Sequence, residues 1–161
     1  MKQIPLTRGK VALVDDEDFD KLVAFGKWCF NSYGYAVKTK KHKNTNGKWA
    51  TKVFFMHRLI MGLSLGDGVV VDHINNEKLD CRRCNLRLCS VAENNRNVGL
   101  RKDNTSFYKG VSFDKARGKF QARIMFENKI IYLGRFKDPK EAAVAYNAAA
   151  LKYFGEFATL N

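Results

Sequence analysis

No apolar run in this sequence approaches the roughly 20 residues that a membrane-spanning helix needs, so an integral membrane protein is not expected. The opening MKQIPLTRGK lacks an apolar core, so no export signal is expected, and Cys29, Cys81, Cys84 and Cys89 are expected as reduced thiols in a cytoplasmic protein. Repeats and low-complexity tracts are absent. Acid is scarce: 16 Asp and Glu stand against 29 Lys and Arg in 161 residues, a net charge of +13. That imbalance favours a polyanionic partner, nucleic acid first and an anionic membrane surface second, over a basic protein without such a partner. The excess is shared, +7 over residues 1–98 and +6 over 99–161, so both halves can touch the same polyanion. The one acidic cluster, Asp15 to Asp20, precedes FDKLVAFG and reads as the negative first turn of a helix.

Nearly half of the chain is hydrophobic, enough for one ordinary domain or two small ones. KVALVDD reads as a strand and DEDFDKLVAFG as a short helix. KWCFNSYGYAVKTK and KWATKVFFMH read as strands joined by the turn-rich KHKNTNG, hence a hairpin. HRLIMGL reads as a short helix. GVVVDHIN and NLRLC form a second hairpin with a long loop, and Ser90 with Glu93 is a capping-box signature that starts a helix in SVAENNRN. VGLRKDNTS is poor in apolar residues and reads as a linker. Beyond it YKGVSFD, KFQARIMF and KIIYLGRF are three strands with tight connections around Ala116–Gly118 and Glu127–Asn128. DPKEAAVAYNAAALKYFG is then a helix with Asp138 as cap, Pro139 at its first position, Glu141 completing a capping box and Gly155 at its end. Its alanines leave a low ridge for a sheet to approach.

The stretch from 69 to 97 brings an acid, a histidine and several carboxamides together. Cutting a phosphodiester needs an activated water, a stabiliser for charge on the phosphate and help for the leaving oxygen. Histidine suits the first task because it titrates near neutrality. A hard divalent cation on oxygen ligands suits the others, and Asp and Asn supply such oxygens. Neighbours in a strand point to opposite faces, so Asp72 and His73 serve one site only if the strand ends or bends between them. Asn94 and Asn97, three apart, share a helix face. Asn75 and Asn76 suit a turn.

Asp72-His73, then Asn85 in NLRL twelve residues after the histidine, then Asn94 in ENNRN twenty-one after it, resemble the HNH nuclease family in its phage and homing-endonuclease branch. MHRLIMG with His57, IPLTRGKVALVDDEDF and GYAVK fit the same branch, and the resemblance covers residues 3 to 98. It implies a ββα-metal fold in which His73 is the general base, Asp72 and Asn94 hold one divalent metal, Mg2+ or Mn2+, and Asn85 keeps the histidine loop and ring oriented. His57 is expected as support near the site. CRRC resembles half of a zinc site, but a tetrahedral site needs a second pair; small thiols are the other reading.

The C-terminal segment resembles the apetala-two (ethylene-response-factor) DNA-binding domain through YKGV, KFQARI, YLGRF, EAAVAYNAAA and FGEFATLN. The resemblance implies a three-stranded antiparallel sheet packed on one helix, the sheet entering the major groove. Alternation agrees: Phe120, Ala122 and Ile124 share one face for the helix, and Lys119, Gln121 and Arg123 share the open one. Arg and Gln suit base edges and Lys suits phosphate. Lys109, Lys115, Arg117 and Arg135 extend the charge, Tyr132 aligns with an aromatic DNA contact of the family, and Ser112 stands where plant members carry an arginine. The expectation is therefore an α+β chain: an HNH nuclease domain over 1–98, a linker over 99–106 and an apetala-two type domain over 107–161. It is expected to act as a metal-dependent, nicking, homing-endonuclease-like DNA endonuclease on double-stranded DNA, as a monomer, without membrane or small-molecule cofactor, in a bacterial host if of phage origin. The alternative is a non-catalytic DNA-binding regulator.

Overall fold

A computed structural model describes residues 1–64, 66–97, 99–100 and 104–161 as a mixture of short helices and small antiparallel sheets, an α+β chain. It divides into two compact units, Met1–Ser90 and Val91–Asn161. Residues 101–103 of the expected linker and Val98 beside it lie outside the described residues. No described helix is long and apolar enough to cross a membrane.

In the first unit, β1 (Lys2–Pro5) pairs antiparallel with β2 (Val11–Val14), Lys2 opposite Val14. Alternation puts Ile4, Ala12 and Val14 inside. Helix α1 (Asp16–Phe25) follows with Asp16, Glu17 and Asp18 in its first turn. The expected single strand from Lys27 is two: β3 (Cys29–Phe30) and β4 (Ala36–Lys43), separated because Asn31 Oδ1 accepts from the backbone N–H of Tyr33 and Tyr35 and turns the chain. Strand β5 (Trp49–Phe55) pairs with β4, completing a sheet of order β3-β4-β5, and runs into α2 (Met56–Ile60). The second hairpin is β6 (Val70–His73) with β7 (Leu86–Cys89). Trp28, Leu22, Met56, Ile60, Val71, Cys81 and Leu86 fill the core between these pieces, and the Trp28 indole N–H donates to Leu22 O at 2.9 Å.

Two arginines tie loops to this core. Arg58 on α2 donates to Ser64 O and to the Asp67 carboxylate, holding the approach to β6. Arg83 of CRRC forks onto buried Asp18 (2.8 Å from Nε and from one terminal nitrogen), reaches Ile60 O at 3.1 Å, and presents its backbone N–H to Asp15 at 2.7 Å. The acidic first turn of α1 is thus the dock of the CRRC loop as well as a favourable charge at a helix N-terminus.

The second unit contains α3 (Val91–Arg96), then β8 (Val111–Asp114), β9 (Lys119–Phe126), β10 (Lys129–Phe136) and α4 (Pro139–Phe154). Strand order is β10-β9-β8, all antiparallel. The β9–β10 turn is Glu127–Asn128, both at positive φ, the geometry that matches strand twist in a two-residue hairpin loop. Asp138 caps α4 by accepting from the Lys140 N–H at 2.8 Å, and Gly155 ends it. Ala122, Ile124 and Val111 pack on Ala142, Ala143, Tyr146, Ala149 and Ala150. Before β8, Asn104 and buried Ser106 form a bonded turn in which Ser106 Oγ donates to Val111 O at 2.8 Å. Gly110 has φ +72, and a Cβ there would lie 2.1 Å from the Tyr146 ring and 2.7 Å from Arg123 O.

Candidate active site and basic sheet

Strand β6 ends at His73, so the last two residues of the strand are the acid and the imidazole, each buried at 5 % exposure. Hairpin register places Arg87 opposite Asp72 and Leu86 opposite His73. Arg87 donates to Asp72 Oδ2 from Nε at 2.9 Å and from a terminal nitrogen at 2.7 Å. The pair is shielded from water, which strengthens its attraction and makes either charge alone costly.

His73 faces an aromatic wall. Its ring centroid lies 4.9 Å from that of His57, edge to face, and 6.0 Å from that of Tyr35, which is itself 5.3 Å from His57. Burial lowers the His73 pKa below 6.5; Asp72 and Asp80 oppose the shift and Lys78 adds to it. His57 is driven to about 3 by burial, with neighbouring His73 and Arg58 pushing the same way. Burial, then the Asp72 charge, raises the Tyr35 phenol. Both buried imidazoles are accordingly neutral near pH 7, the state in which a histidine accepts a proton.

The loop after His73 is fixed through Asn85. Its Oδ1 accepts from Asn75 N at 3.0 Å, its Nδ2 donates to Asp80 O at 2.8 Å, and its backbone O accepts from Ile74 N at 2.9 Å. Asn75 Nδ2 reaches Asp80 Oδ2 at 3.0 Å, and Asn76, at φ +62, returns its N–H to His73 O. Asp80 is forked by Arg82 at 2.7 and 2.6 Å, which holds its carboxyl below the usual range. CRRC is split: Cys81 is a core residue whose thiol burial pushes up to about 12, while Cys84 is exposed. Among the described residues no three His, Cys, Asp or Glu gather as a metal-holding group. Asn94 lies half-buried on α3 in the second unit, and Asn97 there accepts from Thr159 Oγ1 at 3.1 Å. The structure therefore sets His57 against His73 and fixes the loop after His73 through Asn85, while Asp72, the neighbour of His73 in an unbroken strand, pairs with Arg87. Local spacing marks none of Arg87, Tyr35 and Asp80; only the register of the hairpin gives Arg87 away.

Residues 54–96 match the HNH endonuclease family. That span is about a quarter of the chain and contains His57, Asp72, His73, Asn85, Arg87 and Asn94. The chain is also similar to the AP2-like ethylene-responsive transcription factor ANT of Arabidopsis thaliana, at 45% identity over 58 residues covering 35% of this chain and 10% of that protein. With CRL5 of Oryza sativa subsp. japonica it shares 45% over 58 residues (35% and 9%), and with the ethylene-responsive transcription factor WRI1 of Arabidopsis thaliana 39% over 72 residues (40% and 17%). The chain spans less than a fifth of the length of these relatives. An HNH endonuclease-type segment and an AP2-type similarity thus occur in one polypeptide.

In the second unit the open face of the sheet carries, in rows across the strands, Asp114 with Lys119, Ser112 with Gln121 and Arg135, Arg123 with Tyr132, and Met125 with Ile130. Tyr132 and Arg135 are three apart and would face opposite ways in a regular strand. A register shift between Tyr132 and Gly134 inserts one residue, so both point outward, the Arg135 guanidinium 5.2 Å over the Tyr132 ring. Gly134, at φ +132, accommodates the bulge. Arg123, Lys119 and Lys115 are exposed, Gln121 is half-buried, and Arg117 and Arg135 lie 3.4 and 3.3 Å from Asp114. Lys109 is placed differently: it is half-buried and its Nζ donates to Arg96 O at 2.8 Å, while burial lowers its pKa.

Proposed function

We propose that the chain is a metal-dependent DNA endonuclease of HNH type that nicks double-stranded DNA and is positioned on it by the β8–β10 sheet, acting as a cytoplasmic monomer of a phage-type, homing-endonuclease-like kind. The observation that carries the reading is the buried Asp72-His73 pair at the end of β6, its loop clamped by Asn85, inside the span that matches the endonuclease family.

His73 is unprotonated near neutrality and takes the proton of the attacking water; Asn85 keeps the loop, and with it the ring, in place. Asp72 and Asn94 are hard oxygen donors of the type Mg2+ or Mn2+ prefers, so the donor chemistry fits such an ion. Arg87 already claims Asp72 Oδ2, so the carboxylate must be shared with the guanidinium. A bound divalent ion supplies Lewis-acid stabilisation of charge on the phosphate. Arg123, Lys119, Lys115, Gln121, Tyr132, Arg117 and Arg135 form the proposed DNA face; Lys109 supports α3 through Arg96 instead of presenting a free ammonium. The proposed domain limits are 1–98 and 107–161.

The test is supercoiled plasmid incubated with the pure chain, with Mg2+ or with EDTA. Nicking should require the ion, and His73→Ala should abolish it while duplex affinity stays within about twofold. A His73→Ala variant that nicks at the original rate removes the base from the mechanism. Full binding with no nicking under any metal favours the regulator reading, which the transcription-factor relatives motivate.

A further inference from the structure

Between Asp20 and Asp67 the chain has no acidic residue and nine Lys and Arg. Most of them lie on the β4–β5 ribbon, whose outer part is exposed on both faces from Thr39 to Trp49. Register puts Lys40 opposite Lys52, Lys41 opposite Thr51 and Lys43 opposite Trp49. Like charges directly opposite each other destabilise a strand pair, and a two-stranded ribbon standing in water is marginal to begin with. Aromatic rings offset part of this: Lys40 Nζ lies 4.0 Å from the Phe25 ring centre, Lys52 5.3 Å from Phe54, and Lys43 5.7 Å from Trp49. Among the described residues no ion pair takes up Lys38, Lys40, Lys41, Lys43, Lys48 or Lys52. Trp49 is 69 % exposed.

We propose that this ribbon is a second duplex-DNA contact, lying in a major groove with Lys40, Lys41 and Lys52 on phosphates and Trp49 against the groove wall. The alternation decides the partner. Lys38, Lys40 and Lys52 occupy one face and Lys41, Lys43 and Trp49 the other. A membrane surface asks for cations on one face and apolar groups on the other. A groove offers phosphate on both sides, and the major groove of B-form DNA admits a two-stranded ribbon, whereas that of A-form RNA is too narrow and deep. The contact stands whether or not the chain cuts.

The experiment is duplex binding by the full chain, by fluorescence anisotropy in EDTA, from 50 to 200 mM salt. Lys40→Gln/Lys41→Gln/Lys52→Gln should flatten the slope of log K against log salt by about 2.7, so that the original protein loses roughly 40-fold more affinity over this range than the variant. The matching triple Lys→Arg variant should keep the original slope. An unchanged slope in the Gln variant overturns the proposal, as does an equal loss in the Arg variant. Equal affinity for duplex RNA, lost with the same Gln substitutions, overturns the choice of DNA. Because no cleavage occurs in EDTA, a failure here leaves the endonuclease reading where it stands, and a failure to nick leaves this one.

Discussion

The Asp72–Arg87 pair separates what the hairpin needs for folding from what it needs for chemistry. Both side chains are largely buried, at 7 and 12 % exposure. Asp72→Asn takes the carboxylate away from the buried Arg87 guanidinium, and removal of one member of a buried pair costs about 3–5 kcal/mol. The first unit has 90 residues, a size at which each kcal/mol moves the thermal midpoint by roughly 4–8 °C, so a fall of at least about 12 °C is expected. Both tryptophans, buried Trp28 and exposed Trp49, belong to this unit, so indole fluorescence during urea unfolding reports on it alone. Asp72→Asn/Arg87→Met removes both charges and should recover stability to within about 1 kcal/mol of the original, since replacing a whole buried pair by apolar or neutral groups is close to neutral. Cleavage should not return with it. A loss below about 1 kcal/mol in Asp72→Asn would show the pair to be solvated, and a double variant that nicks DNA would remove Asp72 from the site.

Three further outcomes follow from the geometry. His57 binds a proton more weakly folded than unfolded, so its contribution to stability is whole above about pH 6.5 and is lost as pH falls towards its folded value of about 3. His57→Leu should therefore weaken the change in unfolding free energy, read by urea titration, between pH 7 and 4.5 by roughly 1–3 kcal/mol, and an unchanged dependence would place that ring in water. Asn85→Ala removes two side-chain hydrogen bonds across the histidine loop and should cost about 2 kcal/mol and slow nicking about tenfold or more, with duplex affinity unchanged in anisotropy. Gly110→Ala drives a methyl into the Tyr146 ring at a positive φ and should destabilise the second unit by about 2–4 kcal/mol, read by urea titration of circular dichroism; a neutral result would mean that helix α4 moves aside freely.

Much of this molecule can be read along the chain, and the exceptions share a cause. The β4–β5 and β6–β7 hairpins and α4 announce themselves because alternation, turn chemistry and caps are local: Glu127–Asn128 and Asp138 appear where their side chains dictate. The break at Asn31 is equally local but is hidden by apolar neighbours on both sides. Arg87 is not local. Its partnership with Asp72 depends on which residue of NLRLC stands across the hairpin, which the intervening loop decides. The Arg83–Asp18 dock joins residues 65 apart, so an acidic helix start looks like dipole chemistry until the loop arrives. The Ser90–Glu93 spacing marks where α3 begins, yet the same spacing serves whichever core the helix joins, and α3 falls in the unit with the sheet.

The extra residue at Leu133–Gly134 means that β10 has a phase as well as a composition. Deleting Leu133 would leave every cation of the second unit in the sequence and still turn Arg135 inward against the alanines of α4, erasing one end of the sheet's charge pattern. The proposed grip on DNA would, in such a chain, depend on counting residues correctly as much as on having the right ones.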